Sequence, residues 1–218
     1  MKRIAVLISN KSGGSNLQAM LDGQAEQFDG QLVCVASDQE DAYGLVRAAE
    51  ADVPTIVLDH AEYAAKGKPR QVYEEALAQK LQKHYPDLVV LAGWTYELSA
   101  AFFRYFPWRV LSLHPGLLPD PGYHKFKTPD GEFADPCIGL SQAGALQAVL
   151  ASGRKYAGSS VFAYTPDGDV GPVFSRGMTE VNDGDTVEKL TARVKPEEHR
   201  ALRRALAEVC SVAQAARY

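Results

Sequence analysis

The 218-residue chain has little cysteine: Cys34, Cys137 and Cys210 are its only three, widely spaced and without CxxC spacing. That argues against both a disulfide framework and a zinc site. Basic residues are not in excess, since 23 Lys and Arg stand against 27 Asp and Glu for a formal net charge of -4. This balance speaks against a general nucleic-acid or membrane surface and leaves room for a local basic pocket. No apolar run is long enough to span a bilayer. The amino-terminal run leads into Asn10, Lys11 and Ser12 rather than a small-residue cleavage site, so it reads as a first strand. Internal repeats, low-complexity tracts and a GxGxxG fingerprint are also lacking, and the last absence weakens a nicotinamide site. Together these predict a reduced, cytoplasmic protein with no nucleic-acid or membrane partner.

What is present is a core-forming composition, 46% hydrophobic, arranged in a βαβ rhythm. Ile4 to Ile8 is a continuous apolar run, the pattern of a strand covered on both faces. A glycine-bearing loop follows, and Ser15-Asn16 opens a helix carrying Leu17, Met20 and Leu21. The alternation continues with strands at Leu32 to Ala36, Thr55 to Leu58, Leu88 to Ala92 and Val110 to His114. Helices are predicted near Tyr43 to Ala51, Gln71 to Tyr85, Ala100 to Phe106 and Ala143 to Ser152. The fold class is therefore α/β: a Rossmann-like, open, mostly parallel twisted sheet with helices on both faces. One domain over 1–218 is expected, in two halves, 1–110 and 111–218. The short runs carry no hairpin signal, which favours parallel pairing. A proline-rich stretch to about Ser141 reads as a long loop, and Pro196 is expected to kink or split the final helix, which starts near Thr186.

Three stretches are candidates for chemistry. Gly13-Gly14-Ser15-Asn16 joins a first strand to a helix amino terminus, where free N–H groups attract a phosphate, and Lys11 adds charge nearby. A capped turn is the alternative for that loop alone. His114 ends an apolar strand immediately before Pro115-Gly116, at the carboxyl edge where open parallel sheets bind ligands. An imidazole there exchanges protons near neutral pH, the alternative being a histidine that caps the strand and bonds a carbonyl. The turn Asp167-Gly168-Asp169 brings carboxylates, one of which, placed beside His114, would favour its imidazolium form.

AVLIS…GGSNLQAML, SDQEDAYGLVRA, PDLVVLAGW, HPGLLP, AGSSV, DGDVGPV and DGDTVEKLTARVKPEEH run in order over nearly the whole chain. In this combination the sequence resembles the phosphoribosylglycinamide formyltransferases, folate-dependent enzymes of purine synthesis. The resemblance implies transfer of a formyl group from 10-formyltetrahydrofolate to the amine of glycinamide ribonucleotide, small molecules both, without a metal, by a monomer or homodimer. It places the ribonucleotide phosphate at Gly14, Ser15 and Asn16 and the amine near Lys195 and Glu198. It places the folate along Trp94, Thr95, Tyr96, Glu97 and Leu98 and at Asp167 and Gly168. His114 and Asp169 match the family's catalytic pair: the imidazolium would stabilise the oxyanion while the aspartate keeps it charged and relays protons.

Two positions depart from the family pattern. Where an asparagine donor usually stands two residues before the histidine, this chain has Ser112; where a histidine often follows the GxSV segment, it has Phe162. Ser112 is thus the expected, shorter hydrogen-bond donor to the formyl oxygen. The departures keep two alternatives open: a related formyltransferase for another amine, such as an amino sugar nucleotide, and a catalytically impaired folate-binding homologue. Initiator-tRNA formylation fits less well with an acidic chain that lacks room for an added RNA-binding domain.

Overall fold

In the computed structural model the described residues are 1–9, 13–24, 26–166 and 170–211. Seven strands form one sheet in the order β3-β2-β1-β4-β5-β6-β7. These are β1 (Lys2–Ile8), β2 (Gly30–Ser37), β3 (Thr55–Val57), β4 (Leu88–Leu91), β5 (Val110–His114), β6 (Tyr156–Tyr164) and β7 (Val170–Glu180). The helices are α1 (Ser15–Gly23), α2 (Tyr43–Glu50), α3 (His60–Ala65), α4 (Arg70–Gln82), α5 (Ala100–Phe103), α6 (Gln142–Ala151) and α7 (Val187–Ser211). Strands β1 to β5 pair in parallel, and β6 and β7 add antiparallel to that edge.

The apolar run of β1 explains the layering. Ile4, Val6 and Ile8 face one core with Leu17 and Met20 of α1, Ala48 of α2, and Ala201, Leu202, Ala205 and Leu206 of α7. Ala5 and Leu7 face the other, with Tyr73, Leu77 and Leu81 of α4 and Phe102 and Phe103 of α5. Side chains alternate across a strand, so an uninterrupted apolar run requires cover on both faces. Cys34 packs in the second core, where burial pushes its thiol up to about 12. A third cluster packs Cys137, Ala145, Leu146 and Val149 against Ala157, Leu190 and Val194, fixing α6 and the end of the long loop against the sheet.

Three features differ from expectation. The edge beyond β5 is antiparallel at both β5–β6 and β6–β7; for β6–β7 only residues 165–169 separate the strands, and so short a link cannot make a parallel crossover. The polar stretch before α4 contains α3, started by Asp59, whose Oδ1 accepts from Ala61 N at 2.7 Å and Glu62 N at 3.3 Å. Pro196 does not split α7, which is continuous from Val187 to Ser211. Pro196 and Ala192, whose carbonyl loses its usual partner, are both solvent-exposed, so that oxygen is open to water. On the opposite side Gly177 of β7 lets the α7 backbone approach closely: a Cβ there would lie 2.3 Å from Glu197 O. No helix among the described residues is long and apolar enough to cross a membrane.

Candidate active site

The strand order reverses between β1 and β4, and the chain leaves both strands at the same carboxyl edge. Such a switch point opens a crevice. Here it holds a cavity of about 550 Å³ lined by Ser15 and Asn16 after β1, Trp94 and Thr95 after β4, His114 at the end of β5, Gln142 of α6, and Lys195 and Glu198 of α7.

The floor of the cavity is the start of α1. Gly14 stands at the N-cap with φ 70°, a conformation that favours glycine, and offers no side-chain cap. The first-turn N–H groups therefore keep their capacity for an anion, and no acidic residue occupies that turn. Asn16 Oδ1 is buried without a partner; turned over, the same amide presents its Nδ2 donor. Arg47 holds this loop from α2, its Nε donating to Gly13 O at 3.2 Å and its guanidinium to Gln18 Oε1 at 2.7 Å. Arg47 lay in a stretch that carried the resemblance, but no motif distinguished it.

His114 is half-buried, and its Nε2 lies 2.5 Å from Pro136 O. A carbonyl only accepts, so Nε2 carries the hydrogen and Nδ1 is left as the basic atom. Burial lowers the His114 pKa, opposed in part by the bond to Pro136. The described surroundings thus favour neutral imidazole over imidazolium. Asp167, Gly168 and Asp169, as well as Lys11, lie outside the described residues. Ser160 faces His114 across β5 and β6 and fixes the turn beyond it: its Oγ donates to Gly116 O at 2.7 Å and accepts from Leu118 N at 2.8 Å.

The far wall is a polar cluster. Glu198 is only 4% exposed, so its charge requires partners. Lys195 Nζ lies 2.8 Å from Oε1, and Gln142 Nε2 donates to Oε2 at 3.2 Å. Gln142 carried no sequence signal, because its partner is 56 residues away.

Of the other expected residues, Trp94 and Thr95 line the cavity, whereas Ser112, Tyr96, Glu97 and Leu98 do not. Ser112 lies on β5 two residues before His114 and pairs with Phe162. Tyr96 stacks on His60 with ring centres 4.2 Å apart and meets the Trp94 edge at 5.7 Å. Glu97 is exposed, whereas Leu98 is buried in the second core and its backbone hydrogen-bonds the Tyr164 hydroxyl. Thr95 is tied to the end of β1 through its N and Oγ1, each 3.2 Å from Ser9 Oγ. Trp94 Nε1 is buried without a partner beside the cavity. The cavity draws on both the 1–110 and the 111–218 halves. Among the described residues no group of three or more His, Cys, Asp and Glu is arranged to hold a metal ion.

Burial lowers the pKa of His199 as well as His114. Below about pH 6.5 the unfolded chain binds protons that these two imidazoles resist in the fold. Their contribution is complete above that pH and is lost as pH falls toward the depressed folded values. The thermal midpoint is expected to drop by about 2–4 °C between pH 7 and 5.5. His199→Gln should flatten that decline in a calorimetric pH series, and an unchanged slope in both His199→Gln and His114→Gln would count against the assignment.

The profile of the family described as formyl transferase matches residues 2–206. The chain is 34% identical over 198 residues to the phosphoribosylglycinamide formyltransferase of Escherichia coli (strain K12), covering 90% of this chain and 81% of that protein. It is also 34% identical over 210 residues to the trifunctional purine biosynthetic protein adenosine-3 of Drosophila melanogaster, covering 94% of this chain but only 14% of that much longer protein. The crystal structure of glycinamide ribonucleotide transformylase 1 from Symbiobacterium toebii superposes with a TM-score of 0.79 at 36% identity, covering 99% of this chain and 92% of that one.

Proposed function

The chain belongs to the formyl transferase family, and from that premise we propose that it moves a formyl group from 10-formyltetrahydrofolate to the amine of glycinamide ribonucleotide. The observation that carries this reading is one cavity holding an uncapped helix amino end, a half-buried histidine and a buried carboxylate. In this reading Gly14, Ser15 and Asn16 bind the ribonucleotide phosphate, and that remote anchor positions the amine. Lys195 and Glu198 receive the amine, whose N–H groups match the acceptor capacity of the carboxylate. Neutral His114 takes a proton from it through Nδ1, with Asp169 as the partner expected from the resemblance. Ser112 supplies the hydroxyl nearest in sequence for the formyl oxygen.

The folate stretch 94–98, with Asp167 and Gly168, receives the co-substrate. Trp94 fits such a ligand, since its buried Nε1 has a hydrogen to donate and no protein acceptor. When bound, 10-formyltetrahydrofolate supplies the formyl group and a leaving nitrogen. We further assign the chain to the cytoplasm, as a monomer or homodimer working as a single domain on small molecules.

The test is direct: purified protein given both substrates releases tetrahydrofolate, read by absorbance. Turnover no higher than that of His114→Ala would overturn the reading. Preference for an amino sugar nucleotide over glycinamide ribonucleotide would move the protein to a different acceptor.

A further inference from the structure

We infer that Gln142 is a positioning residue for the acceptor amine, acting through Glu198; this rests on the reading of the cavity as a formyl-transfer site. Gln142 is the first residue of α6, and Ser141 before it caps the helix, its Oγ accepting from Gly144 N at 3.2 Å. The Gln142 side chain therefore leaves a fixed backbone. Its Nε2 donates to Glu198 Oε2 at 3.2 Å, while Lys195 Nζ lies 2.8 Å from Oε1. One donor on each oxygen sets the plane of the carboxylate. Each oxygen keeps a second lone pair, and Gln142, Lys195 and Glu198 all line the cavity with His114.

Lys195 and Glu198 are three residues apart on α7, so their contact says nothing about the rest of the site. Gln142 comes from a different element. The loop that leads into it passes through Pro136, whose carbonyl accepts from His114 Nε2. Between these points Cys137 is buried, its N donating to Asp135 Oδ1 at 2.9 Å and its O accepting from Leu140 N at 3.2 Å. One internally tied segment, 136–142, thus connects the group that removes the amine proton to the group that holds the amine. Without the Gln142 donor the carboxylate loses its registration to His114 and is free to turn about its Cγ–Cδ bond.

The variant that isolates this is Gln142→Leu, similar in volume and without a donor. Its KM for glycinamide ribonucleotide is expected to rise about tenfold, the scale of one hydrogen bond to a charged group. The KM for 10-formyltetrahydrofolate is expected to stay unchanged, while the thermal midpoint falls by a few degrees because the buried Glu198 Oε2 loses its donor. Gln142→Glu, which sets a second carboxylate against Glu198, should raise the ribonucleotide KM further. In a Glu198→Ala background, Gln142→Leu should cost nothing more, because the path through the carboxylate is gone. An unchanged ribonucleotide KM, equal rises in both KM values, or the same tenfold loss in the Glu198→Ala background would each overturn the proposal while wild-type turnover left the functional reading intact. Absence of wild-type turnover would remove the reading and the proposal together.

Discussion

His114→Ala is expected to lower turnover by about 10²–10⁴-fold, the range for loss of a positioned general acid or base. The loss should appear in kcat, since the proposed phosphate loop, the proposed folate stretch and the Lys195–Glu198 pair remain to bind substrates. The alanine variant also removes the bond to Pro136 O, which helps hold the long loop. His114→Gln separates the two effects: a glutamine amide can still donate toward Pro136 O but cannot exchange a proton. If proton transfer is the function of the imidazole, His114→Gln stays as inactive as the alanine variant while its thermal midpoint returns toward wild type. Recovery of turnover in His114→Gln would mean that His114 serves the loop rather than the chemistry. Single-turnover rates with both substrates saturating distinguish the cases, because they exclude changes in binding and product release.

How far the sequence reaches depends on whether a feature is local. The Ile4 to Ile8 run shows its two-sided burial by composition alone, and the structure places its residues alternately in the two cores. The uncapped start of α1 and the strand end at His114 are likewise local, each written within a few residues by Gly14 or by Pro115-Gly116. What escaped lies in the third dimension. The Gln142 contact with Glu198 joins residues 56 apart, and Arg47 reaches the Gly13 loop from 34 residues away. The antiparallel edge escaped because strand direction is not written in the composition of the strand: the short 165–169 link fixes it for β6–β7, and nothing local fixes it for β5–β6. The continuity of α7 through Pro196 depends on which face of that helix is wet, and this is known only once the helix is docked on β7.

The second large effect concerns Ser112 and Phe162, read from the sequence as two separate departures. The β5–β6 register makes them one, since Ser112 is directly opposite Phe162. Partners across an antiparallel pair share a face, and Ser112 shares that face with His114, two residues on. Phe162 is buried, 6.2 Å from the Tyr164 ring, which in turn stacks on Phe103 at 5.8 Å. An amide introduced at 112 would therefore face the Phe162 ring across the strand pair. Ser112→Asn alone is expected to give no gain in kcat and a lower thermal midpoint, from a crowded and partly unsatisfied amide. Phe162→His alone is expected to cost stability without helping turnover. Together they should raise kcat by up to about 10²-fold over wild type, the scale of one well-placed donor to the formyl oxygen. The double variant then exceeds the product of the singles, a coupling visible in a double-mutant cycle. Simple additivity would mean that the shared face does not link the two positions. A gain from Ser112→Asn alone would show that the hydroxyl is merely a short donor and that Phe162 leaves room for a longer one. Under coupling, the serine is the residue this aromatic face accepts, and the position opposite controls how strong a donor stands beside His114.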